Sequence, residues 1–508
     1  MILGPSLARN AALYPDKPAI IVAGGATLTH RQLNERVCRI ATALQDAGVM
    51  AGRSLAILAR SSAEYLELYF AAGMTGTLLV PINLHLKASD VSSRLRHSLA
   101  MALVFDSEFA PLVDELDADV RDAIKDRMWC IGTPQPSARA YEDLIAHAKA
   151  SKVDWGVRPE DILYLGYTSG TTGPSKGARI SQRAVVVGYL YKALAYGLNW
   201  YDVSLNPGPF WHSAPRDYAS LAVYLGGTCV VTRGFEATEY FQLVERHGVT
   251  NSFMVPTMLQ MLMDLSNNER FDTRTLRVLL SGGSPMTPAL KARLLDRFGP
   301  CLHEFYGATE TRMITTIHAD EMHARPKSVG RPMHDVEITV LAEDGATLTT
   351  GQVGEVYVRG PGVFSGYFND PVKTAQSYRG DWFSLGDMGR LDEQGYLYLV
   401  DRKQDMIISG GENIYPNDIE EVLLSCPGVK EAAVIGLAHP KWGEAVTAVV
   451  VAMDGVLELN VQMLEAACAE RLPGYMRPRR FEFCDSLPRN PTGKILRRVL
   501  RDQYQTSK

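Results

Sequence analysis

The sequence predicts an α/β fold: a large N-terminal region of two parallel α/β sheets plus a small β-barrel, followed by a mobile α+β C-terminal lid domain. Three observations carry that expectation. At 508 residues the chain exceeds what a single hydrophobic core supports. Short apolar runs of strand length alternate with amphipathic helices, as in a parallel sheet covered on both faces. From Gly330 the pattern turns to alternating strands, and beyond the polar run Asp401-Arg402-Lys403-Gln404-Asp405 a compact lid of about one hundred residues follows. The predicted domains are therefore 1–402 and 403–508.

The elements follow in order. Leu28 to Gly48 reads as an amphipathic helix, with Leu33, Val37, Ile40, Ala41 and Leu44 on one face. Ser54 to Leu58 and Thr77 to Ile82 read as buried strands around the helix Ala63 to Gly73, with further strands at Val104-Phe105 and Trp129 to Ile131. His85 and His97 fit surface or satisfied histidines. The apolar run Ile162 to Leu165 then feeds YTSGTTGPSKG, Tyr167 to Gly177, which has no large aliphatic side chain. Glycines 170, 173 and 177 permit close backbone approach to an anion, hydroxyls at 168, 169, 171 and 172 add donors, and Lys176 adds a compact cation. That composition suits a polyphosphate, although Gly177 replaces the Ser or Thr a P-loop needs after its lysine. A flexible polar linker is the alternative.

Gln182 to Tyr196 reads as a helix, and Asn206 to Arg216 (NPGPFWHSAPR) as a rigid loop carrying an aromatic patch and His212. Arg216-Asp217 fits an ion pair. Val249 to Val255 reads as a strand before a Met-rich helix, whose methionines fit core filling. Val278 to Leu280 runs into SGGSPMTP, a cleft floor on which a flat ring could lie. In FYGATE, Phe305 to Glu310, Tyr306 offers a stacking face, Gly307 room, Thr309 a hydroxyl and Glu310 a hard oxygen for Mg²⁺. Leu385-Gly386-Asp387 suits a ribose diol, with a structural turn aspartate as the alternative. The C-terminal LPRNPTGKILRRVLR places Lys494 on a turn before a basic helix.

Composition narrows the classes. The apolar fraction is 46% and the charged fraction 21%, as in a soluble globular enzyme, and the net charge of −5 gives no sign of a nucleic-acid partner or an anionic membrane surface. No apolar run approaches twenty residues, so no membrane span is expected. The seven scattered cysteines include no CxxC pair, which points to a reduced, cytoplasmic setting without a cysteine metal site. The start lacks a signal-peptide pattern, and Thr506-Ser507-Lys508 is not a peroxisomal tripeptide. A homodimer is the generic expectation.

The ordered set YTSGTTGPSKG, YGATE, LGD, VDRKQDMIISGGENIYPNDIEE and PRNPTGK resembles the adenylate-forming superfamily over essentially the whole chain, and its wording is most similar to fatty-acid and aryl-acid CoA ligases. The resemblance implies two steps. A carboxylate attacks the α-phosphate of ATP, and the thiol of coenzyme A then attacks the acyl-adenylate. It implies that Thr168, Ser169, Gly170, Thr171, Thr172, Gly173 and Lys176 hold phosphates, and that Gly282, Gly283, Ser284, Tyr306 and Gly307 hold adenine. Thr309 would bind the α-phosphate, Glu310 the Mg²⁺, and Asp387 with Arg402 the ribose. Lys494 would bridge carboxylate and α-phosphate, which makes Lys494, Thr309 and His212 the expected catalytic set. Gly411, Trp442, Tyr475 and Arg477 match coenzyme A contacts, and Trp211, His212, Met254, Arg312 and Met313 the acyl pocket. The hinge position holds Gln404, where the family usually has Asp or Lys. The expected acid is medium-chain, alicyclic or aromatic, or a diacid paired with Arg216 or Arg312. Alternatives are a stand-alone adenylating enzyme loading a carrier protein, and a nucleotide-binding regulator without catalysis.

Overall fold

The computed structural model describes residues 1–146, 148–150, 155–168, 176–453, 459–489 and 495–505. Two compact units divide the described residues: 1–146, 148–150, 155–168, 176–337 and 359–381 form the first, and 338–358, 382–453, 459–489 and 495–505 the second.

The first unit is built on two sheets. One has nine strands, and its run of parallel neighbours is Leu302–Ala308, Val278–Ser281, Asn251–Met254, Val203–Leu205, Thr228–Val231 and Pro18–Val22. The other has seven strands, with Ala100–Asp106, Ser54–Leu58, Leu78–Pro81 and Ile162–Thr168 parallel at its centre. Strands buried on both faces explain the unbroken apolar runs: every residue of Ser54–Leu58 is buried. Helices start where the local chemistry allows. Thr29 and Gln32 form a capping box on His30–Asp46, so Leu28 belongs to the preceding short strand and not to the helix. Ser62 caps Ala63–Thr75, which Gly76 ends in the left-handed region at φ 73°.

Two stretches differ from expectation. Tyr167, Thr168, Lys176 and Gly177 lie on strands, not in a loop, because Lys176–Ser181 pairs antiparallel with Ile162–Thr168. The helix Ser213–Leu225 starts inside the segment expected to be a loop, since Pro215 falls in its first turn, where a missing N–H costs nothing.

In the second unit, Glu337–Leu341, Gly354–Arg359, Trp382–Leu391 and Leu397–Arg402 form a curled antiparallel sheet. Asp387 is therefore a strand residue and not a turn residue. A second sheet joins Ile407–Ser409, Glu412–Ile414, Gly443–Ala452, Val429–His439 and Arg480–Phe483, packed with the helices Pro416–Leu424 and Val461–Arg471. No helix among the described residues is long and apolar enough to cross a membrane. All seven cysteines are free, six of them buried.

Candidate active site

Thr309 and Glu310 sit where the strand Leu302–Ala308 turns into its antiparallel neighbour Arg312–His318. Gly307 permits that turn, since a Cβ there would strike the Arg312 carbonyl. The Ala308 N–H donates to the Thr311 hydroxyl (3.0 Å), which fixes the turn. Gly166 on the neighbouring sheet lets Thr309 come close, because any side chain at 166 would collide with the Thr309 γ-methyl. The Thr309 hydroxyl then lies 3.1 Å from the Ser213 hydroxyl at the start of the Ser213–Leu225 helix.

Glu310 is 5% exposed. Its carboxylate accepts from the Tyr367 hydroxyl (3.2 Å), and its carbonyl accepts from the Phe364 N–H (2.7 Å). Tyr367 is placed by strand-like pairing of residues 365–368 with Lys176–Ser181: the Ser365 N–H donates to the Arg179 carbonyl (2.8 Å) and the Phe368 N–H to the Gly177 carbonyl (2.8 Å). Burial, then the Glu310 charge, pushes the Tyr367 phenol far up, so it stays a donor. The Lys176 ammonium lies 5.5 Å from the centre of the Tyr367 ring. Burial, then the neighbouring Lys373 ammonium, lowers its pKa, against the opposing pull of Glu310 and Asp370. Two lysines beside a buried carboxylate are a donor set that fits a triphosphate with Mg²⁺. Ser169, Gly170, Thr171, Thr172 and Gly173 lie outside the described residues, as does Lys494; Thr168 closes its strand.

The predicted adenine floor lies on the same sheet. Gly282 follows the strand Val278–Ser281, and a Cβ there would meet the Phe305 ring at 2.5 Å. Gly283 has φ 90°, so the chain turns there with only backbone on its surface, ahead of Ser284. Tyr306 is half-buried on the adjoining strand.

The Trp211 and His212 rings lie against each other, tilted by 35° with ring centres 3.8 Å apart. His212 precedes Ser213, and burial holds its imidazole down at about 4, with Arg216 and His85 adding to the shift. Its Nε2 has no hydrogen-bond partner. On the far side of Trp211 a cleft of about 230 Å³ opens among Leu84, Phe109, Phe235 and Met258, with exposed His85 and Arg233 at its rim. It lies beyond the carboxyl ends of parallel strands of both sheets, where open α/β folds bind ligands. Met254 is wholly buried in the core of the nine-stranded sheet, and Met313, 4% exposed, stands opposite Gly307. Arg312 is buried at φ 61°, donates to the Tyr164 hydroxyl (2.7 Å) and pairs with Asp217. Arg216 reaches the same aspartate only at 3.7 Å.

In the second unit, Asp387 and Arg402 are cross-strand partners joined by a 2.6 Å ion pair. Gln404 occupies the turn closed by the Asp405 and Met406 N–H groups on the Arg402 carbonyl. Gly411 has φ 86° with open space where a Cβ would lie, and Gly410 packs on Trp442. Arg479 lies 4.1 Å from the Trp442 ring, whereas Arg477 is turned onto the Leu472 and Ala469 carbonyls. Tyr475 is 45% exposed.

Residues 7–368 match the AMP-binding enzyme family, and residues 418–494 match the AMP-binding enzyme C-terminal domain. The chain belongs to the AMP-binding enzyme family. It is 35% identical to the fatty acid–[acyl-carrier-protein] ligase ScoC of Streptomyces coeruleorubidus, over 97% of this chain and 95% of that one. It is also 35% identical to a feruloyl-CoA synthase of Amycolatopsis sp., over 99% of each. The structure of o-succinylbenzoate CoA synthetase MenE from Bacillus subtilis, in complex with the acyl-adenylate intermediate OSB-AMP, superposes with a TM-score of 0.87 at 31% identity, covering 99% of this chain and 98% of that one. The chain is thus an AMP-forming acid–thiol ligase, and enzymes of this family that make CoA thioesters use ATP, Mg²⁺ and coenzyme A.

Three residues at the candidate site had no separate signal in the sequence. Ser213, Gly166 and Tyr367 act through contacts with Thr309 or Glu310 across long sequence separations. Only the glycine-spaced FSGYF around Tyr367 marks a place where backbone pairs with backbone.

Proposed function

We propose that the protein joins a medium-chain, alicyclic or aromatic carboxylic acid to coenzyme A in the cytoplasm, through an acyl-adenylate. The observation that carries this reading is the cluster in which Thr309, held by Ser213, adjoins Glu310, Tyr367 and Lys176. In the first step the acid's carboxylate oxygen bonds to the α-phosphorus of ATP, and the bond to pyrophosphate breaks. The Thr309 hydroxyl donates to the α-phosphate oxygens while Lys176 balances the leaving charge. Glu310 would hold Mg²⁺, which supplies charge neutralisation on the phosphates, and Tyr367 keeps that carboxylate aimed. Lys494 would supply the cation that neutralises the two reacting anions, as the family resemblance implies. In the second step the thiolate of coenzyme A bonds to the acyl carbon and AMP leaves. The solvent-open cleft beside Trp211 suits this second substrate's apolar arm, since it must enter after the first bond has formed.

Pyrophosphate release with a panel of acids tests the reading, followed by Lys494→Ala. That variant is expected to lose adenylation while still forming thioester from supplied acyl-adenylate. Equal loss of both half-reactions would defeat the proposed division of labour. The carrier-protein ligase among the relatives supports a second reading, in which the acyl group passes to a carrier protein. Trapping the product on coenzyme A or on a carrier domain separates the two.

A further inference from the structure

One turn beyond Ser213, the Ser213–Leu225 helix carries Arg216 and Asp217 on the side that holds Thr309. Arg216 is 1% exposed. Its guanidinium lies 4.0 Å from the Tyr164 ring centre and 5.3 Å from that of Tyr69, and Nη1 donates to the Phe210 carbonyl (3.3 Å). Its Nε and Nη2 make no well-aligned hydrogen bond, although the Tyr65 hydroxyl interacts with the guanidinium, and Nε of Arg312 has no partner. Arg312 engages Asp217, leaving that carboxylate 3.7 Å from Arg216. Behind Arg312 stands Gly188, where a Cβ would sit 3.4 Å from Arg312 Nε. One turn on from Gly188 is Lys192, 5% exposed, its ammonium 5.8 Å from the Tyr189 ring centre. Burial, then the Arg312 charge, drives the Lys192 pKa well down.

Among the described residues of this cluster, Arg216 and Arg312 share the one carboxylate of Asp217, Lys192 adds a buried amine beside Arg312, and the tyrosines around them remain neutral. Buried guanidinium donors without acceptors are rare, because each forfeits its hydration. A planar carboxylate is the group that a guanidinium fork accommodates best. We infer that the Arg216–Arg312–Lys192 cluster recognises a second carboxylate at the far end of the acid, so that the preferred substrate is a dicarboxylic acid. The inference rests on the reading above that Thr309 marks the reacting end. The helix geometry sets the two ends about one turn, roughly 5 Å, or more apart. The opposing explanation is a brace: Arg216 stacks on Tyr164 of the neighbouring sheet, and its charge would then serve only packing.

The test is pyrophosphate release by the full chain with aliphatic and aryl dicarboxylic acids, each matched to the monoacid of the same length. At least one dicarboxylate is expected to exceed its monoacid in kcat/KM by about 100-fold or more, the scale of leaving a buried donor unpaired. Arg216→Met is expected to collapse that ratio, mainly through KM, and Arg216→Lys to restore part of it. Monoacids outperforming every dicarboxylate in the wild-type chain would overturn the inference while leaving the ligase reading intact, whether or not the variants fold. Proportional loss on both acid classes in Arg216→Met would assign the residue to the brace. No pyrophosphate with any acid would instead reject the ligase reading and this inference with it.

Discussion

Gly166 has no side chain, and that absence decides where Thr309 can be. The Thr309 γ-methyl occupies the place a Cβ at 166 would take, and this approach sets the 3.1 Å contact with Ser213. Gly166→Ala should therefore push Thr309 off its partner. The expected loss in adenylation is about 100-fold, the scale of one misplaced transition-state donor. Overpacking adds a stability cost of about 1–3 kcal/mol. Thr309→Ser removes the offending methyl and keeps the hydroxyl, so the double variant should recover most of the loss. Acyl-adenylate formation by the two single variants and the double variant checks this coupling. A double variant as slow as Gly166→Ala alone would mean that the γ-methyl contact does not place the hydroxyl.

Among the elements, pairing across strands does what helix termini do elsewhere. Asp387 is 6% exposed, and its ion pair with Arg402 exists because their strands are in register. Arg402→Ala removes the cation paired with that buried carboxylate, and the expected cost is about 1–3 kcal/mol, below the full penalty for a buried pair because Arg402 keeps a third of its side-chain surface exposed. Asp387→Asn in the same background should return part of it, as read by urea unfolding; additive losses would show that the pair is not coupled. The sequence revealed such elements unevenly. Helices with a side-chain cap and a left-handed glycine stop, such as Ala63–Thr75, were legible to within two residues, because the capping chemistry is local. The strand Trp382–Leu391 was not, since Gly386 and Gly389 interrupt its apolar pattern, and Lys176–Ser181 was hidden by its polar, glycine-bearing start. Trp382–Leu391 pairs with Gly354–Arg359, and Lys176–Ser181 pairs both with its neighbour Ile162–Thr168 and with residues 365–368 far along the chain. The site motifs were legible because their residue types are tied to phosphate chemistry, whereas Ser213 and Tyr367 became visible only once distant strands were placed.

Across the whole molecule, titration is the property least legible in the sequence, because burial and neighbours set it and composition does not. His30, His212 and His303 all lie in the first unit, and burial holds each imidazole at about 4, below the ordinary 6.5. In the second unit burial raises Asp401 to about 6, despite the Arg402 and Asn417 N–H groups that donate to it. The signs are opposite. A depressed histidine stabilises the fold above 6.5, and that contribution is lost as pH falls toward 4, because the unfolded chain then binds the proton more readily. A raised aspartate costs stability once pH climbs past its ordinary 3.8, and lowering the pH returns what was lost. Between pH 7 and pH 5 the His212 contribution falls by about 2 kcal/mol, and the Asp401 contribution recovers about 1 kcal/mol. Buried Glu67, Glu304 and Asp106 are also raised within the first unit, so a wild-type pH curve mixes both signs, and variants are needed to separate them. His212→Gln should become more stable relative to wild type as pH drops from 7 to 5. Asp401→Asn should do the reverse, holding its largest advantage at pH 7. Calorimetry of the three chains at both pH values measures the two slopes. Parallel shifts for both variants would show that burial does not control either group.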